Sequence, residues 1–267
     1  MLDFVRGALA PGFAWLRAGF AGLLDLALPP SCAACGACPR SASALCPSCD
    51  ARLLRIPRNG CALCQTVPAT DPDGLCPTCI GASGPFAACI AAVAFAGDVE
   101  DWIHRFKYPA PGIGGLDPAP WAVVRELVRE SAARVSGPSP HLIVPVPLHP
   151  RRLRQRGFNP SARLARVLAH DRRTRVDPVA LERIRDTPSQ TGLARKERQR
   201  NVRGAFRARG RIPPHVWLVD DVVTTGSTLA EAARTLRRSG ARRIVCVCVA
   251  RTALGGVPPS LAGPCTR

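Results

Sequence analysis

Residues 216–228 read VWLVDDVVTTGST, and this stretch decides how the rest of the chain is interpreted. The apolar run at 216–219 predicts a buried β-strand that leads into two adjacent carboxylates, Asp220 and Asp221. A turn of small residues follows, and a helical pattern, LAEAARTLRRSG, begins directly after it. Hydroxyls and free backbone N–H groups at the start of a helix can bind a phosphate dianion. The turn residues predicted to do so are Thr224, Thr225, Gly226, Ser227 and Thr228.

Asp220 and Asp221 cannot themselves hold phosphate, but carboxylates accept hydrogen bonds from vicinal sugar hydroxyls or engage a divalent cation. A phosphate site beside a diol site indicates a ribose 5-phosphate. The alternative is a strand, a turn and a helix with an ordinary N-cap. The thirteen residues also resemble the 5-phosphoribosyl-1-pyrophosphate (PRPP) signature of type I phosphoribosyltransferases, and they differ from a P-loop, which needs Lys after the glycine.

Composition places the chain among globular proteins with polyanionic partners. Its 267 residues, 46% of them hydrophobic, suffice for one medium α/β domain plus a small module. The formal net charge is +18, and residues 151–211 hold 19 Lys and Arg against 5 Asp and Glu, a balance of +14. Such a concentration favours binding to polyanions. The alternative is an arginine-rich composition whose charges are merely solvated on helix faces.

Nine of the 13 cysteines fall between Cys32 and Cys79, and eight of these form CxxC pairs. Four such turns predict two zinc sites with four thiolates each, although disulfides or an iron–sulfur cluster stay open as alternatives. Cys38 is a spare that could compete as a ligand. Reduced zinc thiolates indicate a cytoplasmic protein. The predicted zinc ligands are Cys32, Cys35, Cys46, Cys49, Cys61, Cys64, Cys76 and Cys79.

The apolar run at 13–28 contains Arg17 and Asp25 and is too short to span a bilayer, so no transmembrane segment is predicted. We expect an amphipathic segment there, with a membrane-surface helix as the alternative. Four regions are predicted: an amphipathic segment at 1–30, a double zinc ribbon at 31–81, an α/β domain with a central parallel sheet at 88–253, and a disordered tail at 254–267.

Apolar periodicity predicts strands at 89–95, 142–146 and 242–250 and helices at 98–108 and 120–135. We expect Asp98 to cap the first helix and Asn159 to cap a further helix that begins at Pro160. Cys89, Cys246 and Cys248 lie in apolar runs and are predicted to be core residues.

Two segments of the chain are strongly basic. The first, LHPRRLRQRGFN, directly follows the strand at 142–146, at the edge where open α/β sheets bind ligands. Its guanidinium groups would fit pyrophosphate or nucleic-acid phosphates. They belong to Arg151, Arg152, Arg154 and Arg156. The second segment, 182–206, is polar, basic and weakly periodic, which is typical of a mobile lid or hairpin, with a solvated helix as the alternative.

Taken together, several motifs resemble those of the ComF family over residues 25–252. They are the four CxxC turns, FKY at 106–108, VPVPLHPRRLRQRGFN at 144–159, TPSQTGLARKERQRN at 187–201 and LVDDVVTTGST at 218–228. The resemblance implies a type I phosphoribosyltransferase fold, PRPP as a ligand, and handling of single-stranded DNA in natural transformation.

The resemblance also implies residue roles. Asp220 and Asp221 would bind the ribose hydroxyls and the turn 224–228 the 5-phosphate. The arginines at 151–156, with Lys107, Arg152 and Lys196 as catalytic residues, would neutralise pyrophosphate and its magnesium. Two positions depart from the family pattern. Pro160 replaces the usual Gln after RGFN, which removes one possible amide contact. Thr224 stands where purine-type transferases carry an acidic residue, so a general base for a purine nitrogen is missing and a purine substrate is not expected.

Three classes of function therefore compete. The first is a phosphoribosyltransferase that uses PRPP and magnesium. The second is a non-catalytic protein whose basic face and ribbons bind single-stranded DNA, with Trp102, Phe106, Tyr108 and Phe158 as the aromatic residues near basic ones. The third is a metal-stabilised scaffold for a partner such as a competence helicase.

Overall fold

The computed structural model describes residues 31–37, 43–65, 70, 74–77, 79–80, 84–109, 118–186 and 200–252. The segment at 1–30, the tail at 254–267, Cys38 and Lys196 lie outside these residues. The chain divides into two compact units, Met1–Ala51 and Arg52–Arg267. This boundary falls inside the cysteine-rich stretch, so the second pair of CxxC turns belongs to the same unit as the sheet.

The smaller unit contains one short described helix, α1 (Pro47–Ala51). None of the helices in the described part of the chain is long and apolar enough to cross a bilayer. The larger unit contains, in chain order, β1 (Ala88–Ala94), α2 (Asp98–Lys107), α3 (Pro118–Ala133), β2 (Leu142–Pro145), α4 (Pro150–Arg156), α5 (Pro160–Arg172), β3 (Leu181–Arg183), β4 (Phe206–Ala208), β5 (His215–Val223), α6 (Ser227–Arg238) and β6 (Arg243–Arg251).

Four parallel strands form the central sheet in the order β1-β6-β5-β2. The predicted α/β fold with a central parallel sheet is therefore confirmed. β5 and β6 are almost wholly buried, as expected for continuous apolar runs in the middle of a parallel sheet. Because all four strands run the same way, their carboxyl ends meet at one edge, which brings Asp220 close to the segments that follow β1 and β2.

Helices cover both faces of this sheet. α3 packs on β1 and β6, and α5 packs on β2 and β5. α6 contacts β5 and the antiparallel hairpin β3–β4, whose strands pair Arg183 with Phe206. The apolar stripe of α6, at helical spacing, lies in the same buried cluster as Leu181, Leu218 and Cys246. Cys89, Cys246 and Cys248 are buried as predicted.

Two local predictions differ from the structure, and one segment without a prediction is helical. The N-cap of α2 is Gly97, with no side-chain hydrogen bond, so the expected cap by Asp98 was wrong. β5 continues through Asp220 and Asp221 to Val223, because Val222 and Val223 pair with β6. The arginine run after β2 forms the helix α4, capped by His149. The cap by Asn159 is confirmed, since its side chain accepts a hydrogen bond from the Ser161 N–H at 3.1 Å.

Gly240 joins α6 to β6 at a position where a side chain cannot fit. Its φ is +120°, and an added Cβ would lie 2.6 Å from the carbonyl oxygen of Ile212. Gly240→Ala should therefore lower the free energy of unfolding by about 3 kcal/mol or more. Urea unfolding measures it. Gly210→Ala is the control, because Gly210 also has a positive φ, +71°, but no heavy atom within 4 Å. It should cost about 1 kcal/mol, and equal costs would contradict the backbone clash.

Candidate functional site

A cleft of about 400 Å³ opens at the carboxyl edge of the sheet. It is bounded by the end of β5, the end of α2, the loop after β2, one face of α4 and the start of α5 and α6. Acidic groups therefore lie at its floor and basic groups on its wall. The charged and hydroxyl residues that line it are Asp220, Asp221, Thr228, Lys107, Arg152, Arg156, Arg183, Glu100, His104, Tyr108 and Ser161.

Asp220 lies at the floor of the cleft, where hydrogen-bond donors and other charged groups surround its carboxyl group. Its Oδ1 accepts hydrogen bonds from the Ser161 hydroxyl at 2.8 Å and from the Asp221 backbone N–H at 2.9 Å. Burial, and secondly the charge of Asp221, raise the pKa of Asp220 to about 7 despite these hydrogen bonds and the nearby Lys107. At neutral pH this carboxyl can therefore accept or donate a hydrogen bond.

Asp221 is 8% exposed and forms an ion pair with Lys107, whose Nζ lies 3.0 Å from Oδ1. Lys107 is the last residue of α2, so the helix that follows β1 delivers this cation to the end of β5. The sequence-based hypothesis assigned Lys107 to pyrophosphate, whereas in this structure its partner is the second aspartate of the motif.

Helix α4 separates the four predicted arginines into two groups. Arg152 and Arg156, four residues apart, share the face that lines the cleft. Arg151 and Arg154 are exposed and do not line it, and Arg151 lies 3.6 Å from the carboxylate of Asp186. The structure therefore brings only half of this cluster to the site.

The turn at 224–228 lies between this cleft and a second depression. Thr228 lines the cleft, whereas Thr225, Gly226 and Ser227 line a groove on the other side of the turn. Gly226 has a φ of +73°, and the hydroxyls of Thr225 and Ser227 lie 2.9 Å apart. The turn leads directly into α6, so backbone N–H groups are available at the helix start, as the phosphate-site hypothesis requires.

Ser161 and Arg183 were missed by the sequence reasoning. Ser161 was passed over because it follows a Pro that opens a helix, yet it is buried and bonds Asp220. Arg183 lies in the segment 182–206, for which a mobile lid or a hairpin is predicted; it pairs with Phe206 in the hairpin β3–β4 and is buried there. Its guanidinium lies 5.6 Å from the Phe206 ring centre. Burial, followed by the charge of Arg152, lowers the Arg183 pKa, so this wall of the cleft carries concentrated positive charge.

Most of the aromatic residues proposed for base stacking are used in packing. Trp102 and Phe106 are each 3% exposed. Phe106 and Phe158 instead lie around the Arg163 guanidinium, at 6.0 and 5.4 Å from their ring centres. Tyr108 is the exception at 56% exposure, and its hydroxyl accepts a hydrogen bond from Arg156 at 2.5 Å. Of these candidates, Tyr108 is the one that lines the cleft, but the Arg156 guanidinium lies 4.4 Å from its ring centre.

The eight predicted ligand cysteines form two clusters, each drawn from two successive CxxC turns. Within a cluster the four Sγ atoms lie within 4.8 Å of one another, and the Cys35–Cys46 and Cys64–Cys76 Sγ separations are 3.8 and 3.7 Å. A tetrahedron with Zn–S bonds of about 2.3 Å has edges of about 3.8 Å, so both clusters fit zinc. The clusters are Cys32, Cys35, Cys46 and Cys49, and Cys61, Cys64, Cys76 and Cys79.

Backbone N–H groups favour the thiolate form at the first cysteine of each cluster. Burial opposes ionisation of Cys32, but hydrogen bonds from the backbone of Cys35, Cys46 and Ala34 lower its pKa to about 6. Burial likewise opposes ionisation of Cys61, and backbone N–H groups again lower its pKa. Such outer hydrogen bonds are typical of structural metal ligands.

The second cluster is attached to the sheet by hydrogen bonds. The Cys89 N–H donates to the Ala62 carbonyl at 2.8 Å, and the Ala91 N–H donates to the Gln65 side chain at 2.8 Å. Arg251, at the end of β6, donates to the Leu63 carbonyl at 3.4 Å. This cluster therefore covers the open edge of β1.

Similar proteins are known for the carboxyl-terminal part of the chain and for most of its length. The family model for the phosphoribosyl transferase domain matches residues 155–260. The DNA utilization protein YhgH of Escherichia coli K12 is 33% identical over 251 residues, which is 91% of this chain and 98% of YhgH. YhgH of Salmonella typhi is 32% identical over 248 residues, again 91% of this chain and 98% of the relative.

Competence protein F of Haemophilus influenzae is 37% identical over 109 residues, 39% of this chain and 48% of that protein. A purine phosphoribosyltransferase structure from Pyrococcus horikoshii aligns with 19% identity and a TM-score of 0.31, over 55% of this chain and 95% of that one. Full-length similarity to YhgH, the matching domain model and the two four-cysteine clusters agree. The chain belongs to the YhgH/ComF family of phosphoribosyltransferase-domain proteins.

Proposed function

We propose that the cleft binds PRPP with magnesium. The observation that carries this proposal is the convergence of the aspartate pair, at the carboxyl end of a central parallel strand, with Arg152, Arg156 and Lys107 in one cleft. Asp220 and Asp221 would hold the ribose hydroxyls and the metal, and Thr228 with the helix start would hold the 5-phosphate. The guanidinium groups would hold pyrophosphate.

If the protein is catalytic, the reaction is a displacement at the anomeric carbon. A nucleophile forms a bond to this carbon while the bond between the carbon and the pyrophosphate oxygen breaks. Pyrophosphate leaves with the electron pair of the broken bond. Arg152, Arg183 and Lys107 would stabilise the charge that develops on the leaving group. Thr224 supplies no carboxylate for a purine nitrogen, so a purine acceptor is not favoured.

Calorimetric titration of PRPP with Mg²⁺ into zinc-loaded protein tests the proposal. We expect micromolar binding that weakens at least about 100-fold in the Asp220→Asn/Asp221→Asn variant, because two carboxylates lose their hydrogen bonds and metal contacts. Asp101→Asn is the matched control, since Asp101 is an exposed partner of Arg105 outside the cleft. If wild type does not bind PRPP, or if the double variant binds as well, the proposal fails.

A role in DNA use is the second part of the proposal. It is supported by relatives named for DNA utilization and for competence and by the balance of +14 over 151–211. Binding of single-stranded DNA should weaken steeply with salt. Unchanged DNA binding by the Asp220→Asn/Asp221→Asn protein would favour a non-catalytic DNA-binding protein. Unchanged capture of a competence helicase by the same protein would favour a scaffold.

A further inference from the structure

The groove on the far side of the phosphate turn is strongly basic. Its volume is about 820 Å³, and it runs along α6 from Thr225, Gly226 and Ser227 toward the end of that helix. Four guanidinium groups line it, and none of its lining residues also lines the aspartate cleft. These arginines are Arg200, Arg203, Arg234 and Arg238.

Most of this charge is not neutralised by the described residues. Among the residues that the structure describes, one carboxylate lines the groove: that of Glu231, which is 4% exposed, accepts a hydrogen bond from the Gly204 N–H and pairs with Arg234, each at 2.9 Å. Within the part of the chain that the structure describes, the guanidinium groups of Arg200, Arg203 and Arg238 make no hydrogen bond or ion pair. By contrast, Arg129 and Arg209 on other surfaces are paired with Asp171 and Glu182.

We infer that this groove binds the backbone of a single-stranded nucleic acid, on the side of the phosphate turn opposite to the aspartate cleft. Arginine presents a planar fork that matches phosphate oxygens, and clustered cations in a concave surface attract polyanions strongly. α6 has 12 residues and is therefore about 18 Å long, so the groove extends beyond one phosphate and suits a chain of them. The inference rests on the proposed DNA role and assigns it a location.

A second basic cleft provides the matched comparison. It lies at the opposite end of the sheet, where β5 and β6 begin, and is lined by His141, Arg175, Arg211 and Arg242. It is not adjacent to the phosphate turn, and Arg175 has Asp177 at 4.0 Å. Charge reversal at two exposed arginines of this cleft changes the net charge of the protein as much as reversal in the α6 groove.

The test compares Arg203→Glu/Arg238→Glu with Arg211→Glu/Arg242→Glu. Binding of fluorescently labelled dT20 is followed by anisotropy across a salt series, and thermal melts confirm that both variants fold. Loss of two phosphate contacts should reduce the slope of log K against log salt by about 1.4 for the groove variant. The slope of the second variant should match wild type. Labelled dA20 should show the same change as dT20, because backbone contacts carry no sequence information.

Three outcomes would overturn the inference. An unchanged slope in the groove variant, with normal wild-type binding, would show that the groove is not the binding site, while the proposed DNA role would still hold. Failure of the wild-type protein to bind dT20 would contradict both the groove assignment and the DNA role. Binding of labelled poly(Asp) in place of dT20, lost in the groove variant, would mean that the groove recognises an acidic polypeptide.

Discussion

Replacing Cys61 and Cys64 by Ser should remove the cooperative unfolding transition of the larger unit or lower its midpoint by more than about 10 °C. The second cluster is bonded to β1 through Ala62 and Gln65 and to β6 through Leu63. Structural zinc contributes about 10–16 kcal/mol in small domains, and a whole domain is stable by about 5–15 kcal/mol. Loss of this metal is therefore comparable to the total stability. Differential scanning calorimetry with zinc analysis measures both effects.

The first cluster offers a matched control. Cys32→Ser/Cys35→Ser also removes two thiolates from one zinc site, and it should likewise reduce zinc from two ions to one. Its ligands belong to the separate unit Met1–Ala51, so the transition of the larger unit should stay within a few degrees of wild type. Equal destabilisation by the two variants, or none by the Cys61→Ser/Cys64→Ser variant, would contradict the structural role assigned to the second cluster.

Asp220→Asn should stabilise the protein at pH 8, even though it removes a carboxylate from the cleft. The pKa of Asp220 is raised from 3.8 to about 7, so the folded state favours the protonated form. Stabilisation from this proton is complete below about pH 4 and is lost as the pH rises through 7. Above pH 7 the ionised carboxylate disfavours folding by up to about 4 kcal/mol, which a neutral amide avoids.

Urea unfolding at pH 8 and pH 5 measures the difference between Asp220→Asn and wild type. The stabilisation should be largest at pH 8 and fall to less than half of that value at pH 5, where Asp220 is protonated in the folded state. Zinc release at low pH affects both proteins equally and cancels. Asp101→Asn should show no such pH dependence. A variant that is less stable than wild type at pH 8 would falsify the raised pKa of Asp220.

The fold and the floor of the site could be predicted from sequence because their signals are local. Parallel strands leave continuous apolar runs, and the CxxC spacing and the DDVVTTGST turn each lie within a few residues. The four-cysteine clusters, the parallel sheet and the cap by Asn159 followed from such patterns. The family assignment drew on the order of several motifs, which no single pattern could supply.

The arrangement of the cleft wall could not be predicted because it depends on contacts distant in sequence. Arg183 is buried because it pairs with Phe206 in the hairpin. Phe206 lies 23 positions further along the chain, so the burial cannot be inferred from the residues around Arg183. Lys107 meets Asp221 because β1 and β5 flank the same strand, β6. The separation of Arg152 and Arg156 from Arg151 and Arg154 required knowing that this run is helical.

The ion pair between Lys107 and Asp221 makes ligand entry an exchange of counter-ions. Lys107 already balances the aspartate. If the cleft binds magnesium with PRPP as proposed, a magnesium ion that takes Asp221 would release a primary ammonium group beside Arg152 and Arg156. The incoming cation would thereby increase the positive charge available to its own accompanying anion. A ligand without a divalent cation would leave this ammonium group paired with Asp221, so the proposed function predicts that the cleft prefers metal-complexed polyphosphates to free ones.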